Sequence, residues 1–548
     1  MFNHELALIP LVPAITALII PFLALVTRNR YVYSFLQLSA ATIMLILSLI
    51  VLKNVLQNGA VVYVFGGWPP PMGIVYVADF INAVYGLLAC TIFFLVSLYT
   101  FWYYKIIKDC VWHSLLLLLL VTGITGCIYT GDIFNFFVML EVLALSSYAL
   151  VSFFKKRKWA IEASASYAFI GSLATTFFLF GVSFLYLSFG TLNIADLSAK
   201  AHDCNSIMSH WSGSCTNNIC IGNFVLASAT ATAFMIWALT FEAGLFPNNY
   251  WLPSAYTEAP TPASAIFAGI VDKVGIYGIL RLFLTIFTPY GSTLMFRLWG
   301  VPFRDFILYV LSVLGLITGL LGALIMTIQK DVKRLLSYST ISHIGLMFMA
   351  MAGLTSGQTE VTMALTLTGI IFHSITHALG ESMVFMGLGA LASIANSRKI
   401  NDMYGYGTMY PYLSIAIVIG LLSLLGIAPL AGFFSKYMLF LALISANLIY
   451  YAIALIVISG ITAIGYFKLI YALFLQKPKE DKKTDSITVA TIVCMIMVIG
   501  LITLGVMSIQ GEPYKLLYSN NIHVSSIDGV KQYIKIVEDI ARILGGKP

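Results

Sequence analysis

Six charged side chains interrupt long apolar stretches of this sequence, and they are the residues best suited to chemistry in a low-dielectric interior. These residues are Glu141, Glu242, Asp272, Lys273, Glu381 and Lys436. At about 3 kcal/mol each for a place at the centre of a bilayer, they would together cost roughly 18 kcal/mol. That cost exceeds the ~5–15 kcal/mol net stability of a typical domain. We therefore expect the six groups to be paired, neutralised or hydrated, and to be used for moving charge.

Three histidines add titratable groups within the same apolar stretches. His373 and His377 are four residues apart, so a helix would place them one turn apart on the same face, and His343 lies in the preceding apolar run. Imidazole gains and loses protons near neutral pH. A lone histidine in such a stretch is usually a hydrogen-bonded structural residue, but three histidines beside six charges favour a proton relay.

The elements that must hold these groups are transmembrane helices. Of the 548 residues, 60% are hydrophobic and 10% are charged, whereas about a quarter of the residues in soluble domains are charged. A water-soluble fold is thereby excluded. Apolar runs of roughly 20 residues, the length that crosses a bilayer, recur along the chain. Because open strands cannot satisfy their backbone groups in lipid, we predict an all-α polytopic membrane protein with about 14 transmembrane helices.

The distribution of basic residues predicts the orientation of the chain. Lysines and arginines cluster in alternate loops, as in 155–158 and 330–334, and such loops face the cytoplasm by the positive-inside rule. The net charge of +7 therefore reflects membrane topology, and we expect no nucleic-acid partner. The predicted location is the plasma membrane of a prokaryote, with both termini extracytoplasmic. Lys333 and Arg334 are expected to be cytoplasmic anchors.

The cysteines predict no metal site, since no Cys/His spacing resembles one. Cys204, Cys215 and Cys220 share one polar loop on the predicted outer side. A disulfide with one thiol left over and three free thiols are both open. The chain has no nucleotide loop, haem motif or iron–sulfur cysteine run, so we expect no cofactor here. Any redox chemistry would belong to partner chains.

Two polar interruptions and a polar tail predict the domain organisation. Glycine and proline flank Glu242 in 241–247 and Lys436 in 429–436, which is typical of discontinuous membrane helices. The interrupted spans would be helices 7 and 12, and their spacing suggests two five-helix repeats at roughly 111–286 and 305–476. We predict a transmembrane domain over 1–507 and an amphipathic extracytoplasmic tail over 508–548, with a frayed tail as the alternative.

The motifs around these residues resemble one family across most of the chain. They are Met139-Leu140-Glu141, Ala243-Gly244-Leu245-Phe246-Pro247, Trp251-Leu252-Pro253, Ala259-Pro260-Thr261-Pro262-Ala263-Ser264-Ala265, Lys273-Val274-Gly275-Ile276-Tyr277, Asp331 to Ser339, Ser342-His343-Ile344-Gly345, His377-Ala378-Leu379 and Gly432-Phe433-Phe434-Ser435-Lys436. The sequence is similar to the antiporter-like subunits of respiratory complex I and membrane-bound hydrogenases, and to the D subunits of Mrp-type cation/proton antiporters. The resemblance implies fourteen helices, inverted repeats and a hydrated polar axis along the membrane midplane.

The resemblance assigns a place on this axis to most of the candidate residues. Glu141 matches the glutamate of helix 5, Lys273 the lysine of helix 8, and Lys436 the lysine of helix 12. His343 matches the histidine of helix 10, and His373 and His377 match histidines of helix 11. Three positions depart from the family pattern, because Glu242 and Glu381 stand where lysine is usual and Asp272 stands where an apolar residue is common.

These departures leave several functions open. If Glu141 and Glu242 approach closely, the two acids would share one proton and titrate as a unit, with Lys273 or a cation as compensating charge. The result would be a modified proton path, a sodium site or a subunit that has lost pumping.

We therefore predict a proton- or sodium-translocating subunit of a redox-driven respiratory or hydrogenase-type complex, with Asp272 as a modifier. The expected partners are other membrane subunits, some of them antiporter-like, together with peripheral redox subunits and the lipid bilayer. The alternatives are the D subunit of an Mrp-type antiporter and a pumping-impaired structural subunit.

Overall fold

The structure, a computed structural model, is mainly helical. It describes residues 4–68, 70–202, 213–216, 219–289, 293–477 and 487–525. Within these ranges 13 helices are long and apolar enough to cross a membrane, and a pair bent by 117°, Ile400–Met409 and Pro411–Leu425, brings the number to 14. The prediction of a polytopic all-α protein with about 14 spans is confirmed. Cys204 and residues 526–548 of the predicted tail lie outside the described residues.

The first half of the described chain contains eleven α-helices. They are α1 (His4–Val26), α2 (Arg30–Asn58), α3 (Phe80–Tyr103), α4 (Cys110–Tyr129), α5 (Ile133–Val151), α6 (Lys158–Phe189), α7 (Ile194–His202), α8 (Asn223–Ala243), α9 (Leu252–Glu258), α10 (Thr261–Ile266) and α11 (Asp272–Arg281). A π turn, Phe267–Val271, joins α10 to α11, and a second, Leu282–Ile286, follows α11. The segment from α10 to the second π turn therefore forms one continuous span, the eighth predicted helix.

The second half of the described chain contains nine further α-helices. They are α12 (Phe303–Ile328), α13 (Val332–Ala350), α14 (Glu360–Ala395), α15 (Tyr406–Met409), α16 (Pro411–Leu425), α17 (Ala431–Ser445), α18 (Ile449–Ile470), α19 (Thr488–Ile509) and α20 (Glu512–Ser525). Short 3₁₀ turns lie at Phe65–Gly67, Thr293–Met295, Met351–Leu354 and Ile400–Met403, and a π turn at Tyr471–Leu475 extends α18.

Three short antiparallel hairpins occupy loops between the helices. They pair β1 (Val61–Val64) with β2 (Val75–Ala78), β3 (Gly213–Thr216) with β4 (Ile219–Gly222), and β5 (Arg297–Leu298) with β6 (Val301–Pro302). In the second hairpin, Cys215 and Cys220 are opposite each other in the ladder. Whether the cysteines of this loop form a disulfide stays a prediction.

The two polar interruptions are real breaks between helices. The helix α8 ends just before Gly244, whose φ is 73°, and α16 ends at Gly426, whose φ is 90°. Both angles lie in the left-handed region that glycine adopts without strain, so the chain leaves each helix at a glycine. The discontinuity of helices 7 and 12 is therefore found where it was predicted, while the relation of the two five-helix repeats stays a prediction.

Lys273, the three histidines and Glu381 lie on the most deeply buried spans. The most apolar part of span 261–286 is entirely buried inside the protein, and the corresponding shares for 332–354 and for α14 are 94% and 83%. By contrast, only 33% is buried for α2 and α19, which face outward. The buried spans carry Lys273, His343 and the α14 histidines, so the fold surrounds these groups with protein rather than lipid.

The helices α12 and α13 cross at glycines, which brings their backbones into contact beside His343. A Cβ atom built on Gly345 of α13 would lie 2.3 Å from the backbone nitrogen of Gly319 on α12 and 2.6 Å from the carbonyl oxygen of Gly315. Backbone atoms cannot move aside as a flexible side chain can. The close crossing therefore requires glycine at residue 345, two residues after His343.

Replacing Gly345 with alanine should separate these helices and destabilise the protein. We expect Gly345→Ala to cost about 1–3 kcal/mol, the usual range for overpacking, and to lower the melting temperature in detergent. Gly460→Ala on α18 is the matched control, because nothing lies within 4 Å of its added Cβ. A melting temperature for Gly345→Ala equal to that of the parent would refute the close crossing.

Candidate functional site

Lys273 is a fully buried charge of the site, and its ammonium group has three acceptors. It donates to the Ala268 carbonyl oxygen at 2.6 Å, to Asp272 Oδ2 at 2.9 Å and to His377 Nδ1 at 2.8 Å. Lys273 and Asp272 are both 0% exposed. A protonated lysine has three N–H donors and no acceptor, so this arrangement satisfies the charged form. Ala268 belongs to the π turn that precedes α11, which places its carbonyl against the lysine.

Glu381 lies one turn after His377 on α14 and is held by hydroxyl groups. Ser339 Oγ donates to Glu381 Oε2 at 3.2 Å, and Thr340 Oγ1 donates to Glu381 Oε1 at 3.1 Å. His377 Nε2 is 3.9 Å from Glu381 Oε2, which is too long for a hydrogen bond. The carboxyl group therefore bonds to α13, while His377 bonds to Lys273 on α11.

A run of hydrogen bonds continues from Ser339 through the other two histidines. Ser339 Oγ is 2.7 Å from the Tyr466 hydroxyl oxygen, which is 3.1 Å from His343 Nε2. His343 Nδ1 is 3.0 Å from His373 Nε2, and His373 Nδ1 is 3.0 Å from Ser435 Oγ. All five groups are buried. Together with Glu381 they form an unbroken run of hydrogen bonds from α14 to Ser435 on α17.

Lys436 directly follows Ser435, the residue at which this run of hydrogen bonds ends. Its Nζ donates to the Leu425 carbonyl oxygen and to Ser459 Oγ, each at 3.1 Å. Leu425 is the last residue of α16, so its carbonyl is one that the helix break leaves without an intrahelical donor. The break in helix 12 thus supplies an acceptor for a buried lysine.

Glu242 is buried on α8, which packs against the helix that carries Lys273. It is 4% exposed, and within the described residues its Oε1 has no hydrogen-bond partner. The helices α8 and α11 approach closely here, because a Cβ atom on Gly275 would lie 2.5 Å from the Leu239 carbonyl oxygen and 2.6 Å from Ala243 N. Glu242 therefore lies on a helix in backbone contact with the Lys273 helix. Among the described residues, no hydrogen bond joins Glu242 to the run of hydrogen bonds that includes Glu381.

Glu141 has a different environment. It is only half-buried, on a strip of α5 whose other members, Phe134, Val138 and Leu145, are exposed. The residues of this strip are spaced by four and three, so they share one outward face of the helix. The structure thus brings together Lys273, His377, Glu381, His343 and His373, with Lys436 adjacent, whereas the half-buried Glu141 makes no hydrogen bond to any of them among the described residues. The predicted acid pair of Glu141 and Glu242 stays a prediction.

Sequence reasoning missed the hydroxyl groups that connect the site. Ser339 and Ser435 lie inside recognised motifs without having been assigned a role, and Tyr466 lies in an apolar run that contained no candidate residue. A signal was present in that run, because Ser459, Thr462 and Tyr466 are spaced by three and four in an otherwise apolar helix. Such spacing places polar groups on one helix face.

A second polar cluster ties the start of the eighth span to the end of α14. Arg398 donates to Glu258 Oε1 at 2.8 Å and to the Thr257 carbonyl oxygen at 2.7 Å, and it pairs with Asp331 Oδ2 at 3.1 Å. Burial disfavours the Arg398 cation, but its hydrogen bonds and charge interactions with Glu258 and Asp331 outweigh this effect and raise its pKa. The cluster fixes the relative position of the spans that carry Lys273 and His377.

Lys333 lies beside this cluster. Its side chain is buried, and Nζ donates to the Ala259 carbonyl oxygen at 2.6 Å and to Ser264 Oγ at 3.1 Å. Only Arg334 is exposed. That Lys333 and Arg334 are cytoplasmic anchors stays a prediction. The Lys333 side chain is covered by Ala259 of the turn between α9 and α10 and by Ser264 of α10, which supply its acceptors.

Comparison with known proteins identifies the family. The family model described as "NADH:quinone oxidoreductase/Mrp antiporter, TM" matches residues 130–462, more than half of the chain. The chain belongs to this family. The matched range includes Asp272 and all eight residues predicted to translocate protons, so this antiporter-like chain matches the family across the whole site.

Similar proteins come from both branches of the family. The D subunit of the Na(+)/H(+) antiporter of Alkalihalophilus pseudofirmus is 29% identical over 93% of this chain and 95% of its own length. The N subunit of the NADH-quinone oxidoreductase of Desulforudis audaxviator is 30% identical over 76% of this chain and 75% of its own length. A chain in the structure of the membrane-bound sulfane sulfur reductase, an archaeal respiratory membrane complex, is 27% identical with a TM-score of 0.83, covering 97% of this chain and 99% of that chain. This antiporter-like chain is thus a multi-pass membrane protein of the family that the motifs predicted.

Proposed function

We propose that this chain translocates protons, or sodium ions, as a membrane subunit of a redox-driven respiratory or hydrogenase-type complex. The observation that carries the proposal is the unbroken run of hydrogen bonds from Glu381 to Ser435. The hydrogen-bonded pair of Lys273 and His377 lies near its Glu381 end, and Lys436 is next to Ser435 in sequence. The groups of this run include carboxyl, hydroxyl and imidazole, and each of these can both give and accept a proton. A path of such groups suits proton movement across a low-dielectric interior.

The proposal assigns the candidate residues to one translocation path. Lys273, His377 and Glu381 form its centre, His343 and His373 continue it, and Lys436 terminates it. Asp272 modifies the path, because its carboxylate is 2.9 Å from the Lys273 ammonium and stabilises the charged form. Glu242, on α8, lies to one side of this path. The half-buried Glu141 would contact a neighbouring membrane subunit.

The proposed partners are membrane subunits of a larger complex, including further antiporter-like or small subunits, and peripheral redox subunits. The likeness to a chain of an archaeal respiratory membrane complex supports this part. We place the chain in a prokaryotic plasma membrane with both termini outside, as the basic loops suggest. The domain proposal remains a transmembrane unit over 1–507, with repeats at roughly 111–286 and 305–476, followed by an extracytoplasmic tail over 508–548.

Two alternatives have specific support. A role as the D subunit of an Mrp-type antiporter is favoured by the relative from Alkalihalophilus pseudofirmus, which matches 93% of this chain. A pumping-impaired structural role is favoured by the acids at residues 242 and 381, where the family usually has lysine. The first alternative shares the ion path and differs in its driving force, whereas the second predicts no ion flux.

Removing the Lys273 ammonium should stop translocation. In the native complex reconstituted into vesicles, we expect Lys273→Ala to lower proton flux by about tenfold or more, since positioned proton-transfer groups typically contribute 10²–10⁴-fold. Flux is followed with a pH-sensitive dye inside the vesicles. Lys105→Ala, which removes an exposed lysine, is the matched control and should retain parental flux.

Two outcomes of the same assay would contradict the proposal. If Lys273→Ala pumps like the parent in a fully assembled complex, the central position of Lys273 is wrong. If the parental complex itself moves neither protons nor sodium ions, the pumping-impaired alternative is correct.

Metal analysis of the native complex distinguishes the two driving forces. We expect the purified complex to contain iron, or iron and nickel, in companion chains, because this chain has no site for a redox centre among its sequence motifs. The measurement is elemental analysis of the complex in parallel with subunit identification. A complete complex without redox metals, which exchanges sodium ions for protons under an imposed gradient, would instead identify the Mrp-type antiporter.

A further inference from the structure

The helix α18 presents a polar strip to the translocation path, although no charged group lies on that strip. Its members are Ser459, Thr462 and Tyr466, and their spacing of three and four places them on one face. Thr462 is 2% exposed and Tyr466 is 0% exposed. Ser459 Oγ accepts a hydrogen bond from Lys436 at 3.1 Å. Two turns later, Tyr466 reaches a different part of the path.

Tyr466 is the hydrogen-bonded connection between Glu381 and the two stacked histidines. Its hydroxyl oxygen is 2.7 Å from Ser339 Oγ and 3.1 Å from His343 Nε2. The other approach between these groups runs through His377, whose Nε2 is 3.9 Å from Glu381 Oε2. Because proton transfer requires a formed hydrogen bond, the described residues offer an unbroken route only through Tyr466.

We propose that the Tyr466 hydroxyl transfers protons between the Glu381 and the His343–His373 segments of the path, which makes α18 a working helix of the site. The inference rests on the proposed translocation function and adds a residue that carries no charge. It also gives Ser339 a defined role, as the group that passes the proton between Tyr466 and Glu381.

The hydrogen bonds of the run from Ser435 to Glu381 can point in either of two directions. In the first, Ser435 donates to His373, His373 to His343, His343 to Tyr466, Tyr466 to Ser339 and Ser339 to ionised Glu381. In the second, every bond is reversed, and protonated Glu381 donates to Ser339. Ser435 then donates to the Gly432 carbonyl oxygen, which is 3.0 Å away. Each hydroxyl and imidazole has the donor and acceptor needed in both arrangements.

Conversion of the first arrangement into the second is the transfer of one proton. Each hydrogen moves across its own bond towards Glu381, so an O–H or N–H bond breaks on one side of every group and a new one forms on the other. His343 loses the hydrogen on Nε2 to Tyr466 and gains one on Nδ1 from His373, which changes its tautomer without a turn of the ring. One proton enters at Ser435 and one is added to Glu381, and no net charge remains on Tyr466.

Tyr466→Phe removes the hydroxyl and leaves the ring. In the native complex in vesicles, we expect proton flux to fall by about tenfold or more, in line with the roughly 10²–10⁴-fold contribution of positioned proton-transfer groups. Tyr99→Phe is the matched control, because Tyr99 is equally buried and its hydroxyl donates to the Met386 carbonyl oxygen at 3.0 Å, away from the path. Parental flux in an assembled Tyr466→Phe complex would overturn the inference.

Tyr466→His distinguishes proton transfer from a structural role of the ring. An imidazole can accept on one nitrogen and donate on the other, so transfer predicts higher flux for Tyr466→His than for Tyr466→Phe. A structural role predicts the reverse order, since Phe preserves the shape of Tyr. Finding the reverse order would refute the inference.

A second pair of variants breaks the same connection on α13, in case the Tyr466 variants do not assemble. Ser339→Ala should lower flux as Tyr466→Phe does, while Ser337→Ala, which removes a buried hydroxyl bonded to the Arg334 carbonyl oxygen, should not. If Lys273→Ala stops flux but the Tyr466 and Ser339 variants pump normally, translocation stands and the tyrosine connection is wrong.

Discussion

A lysine ammonium at the middle of a bilayer keeps its charge only if protein atoms replace the water that it has lost. Insertion of such a group costs about 3 kcal/mol, whereas a hydrogen bond to a charged group contributes about 1.5–3 kcal/mol. The three acceptors of Lys273 therefore offset its burial. Asp272 supplies one acceptor together with a negative charge, so the ion pair and its hydrogen bonds stabilise each other.

The need for acceptors inside the membrane accounts for several irregular parts of the fold. The π turn before α11 directs the Ala268 carbonyl oxygen to Lys273, and the break after α16 directs the Leu425 carbonyl oxygen to Lys436. Irregular backbone is tolerated at this depth only where protein or a polar cavity surrounds it. Close glycine crossings then bring α13 and α11 against their neighbours, so that groups on five helices reach one another.

The sequence contained enough information to predict the architecture and the charged part of the site. Long apolar runs predict spans whatever their tertiary contacts, and a charge within such a run is conspicuous because lipid excludes it. The breaks near Glu242 and Lys436 were also predictable from local sequence, because glycine and proline flank both charges. Tyr466, Ser339 and Ser435 could not be assigned in this way, because hydroxyl groups are common in membrane helices and their partners depend on where three helices cross.

The direction in which an individual side chain points also could not be predicted from the local sequence pattern. The face of α5 that carries Glu141 is set by how that helix packs, and Glu141 is half-buried in the single chain. Lys333 follows a loop and reads as a solvated residue, yet the turn between α9 and α10 covers it. In both cases a distant segment decides the environment, and a single sequence does not reveal that segment.

Glu381 gives the most direct test of the proton path, because it is the carboxyl group that takes up the proton at the end of the hydrogen-bonded run. Gln at this residue keeps the size of the side chain, and its single amide oxygen can accept from Ser339 or from Thr340, but it cannot take up a proton. The decisive measurement is proton flux through the native complex in vesicles for Glu381→Gln, beside Glu360→Gln, an exposed acid at the start of the same helix. A fall of about tenfold or more for Glu381→Gln alone is predicted. Parental flux in an assembled Glu381→Gln complex would contradict the path.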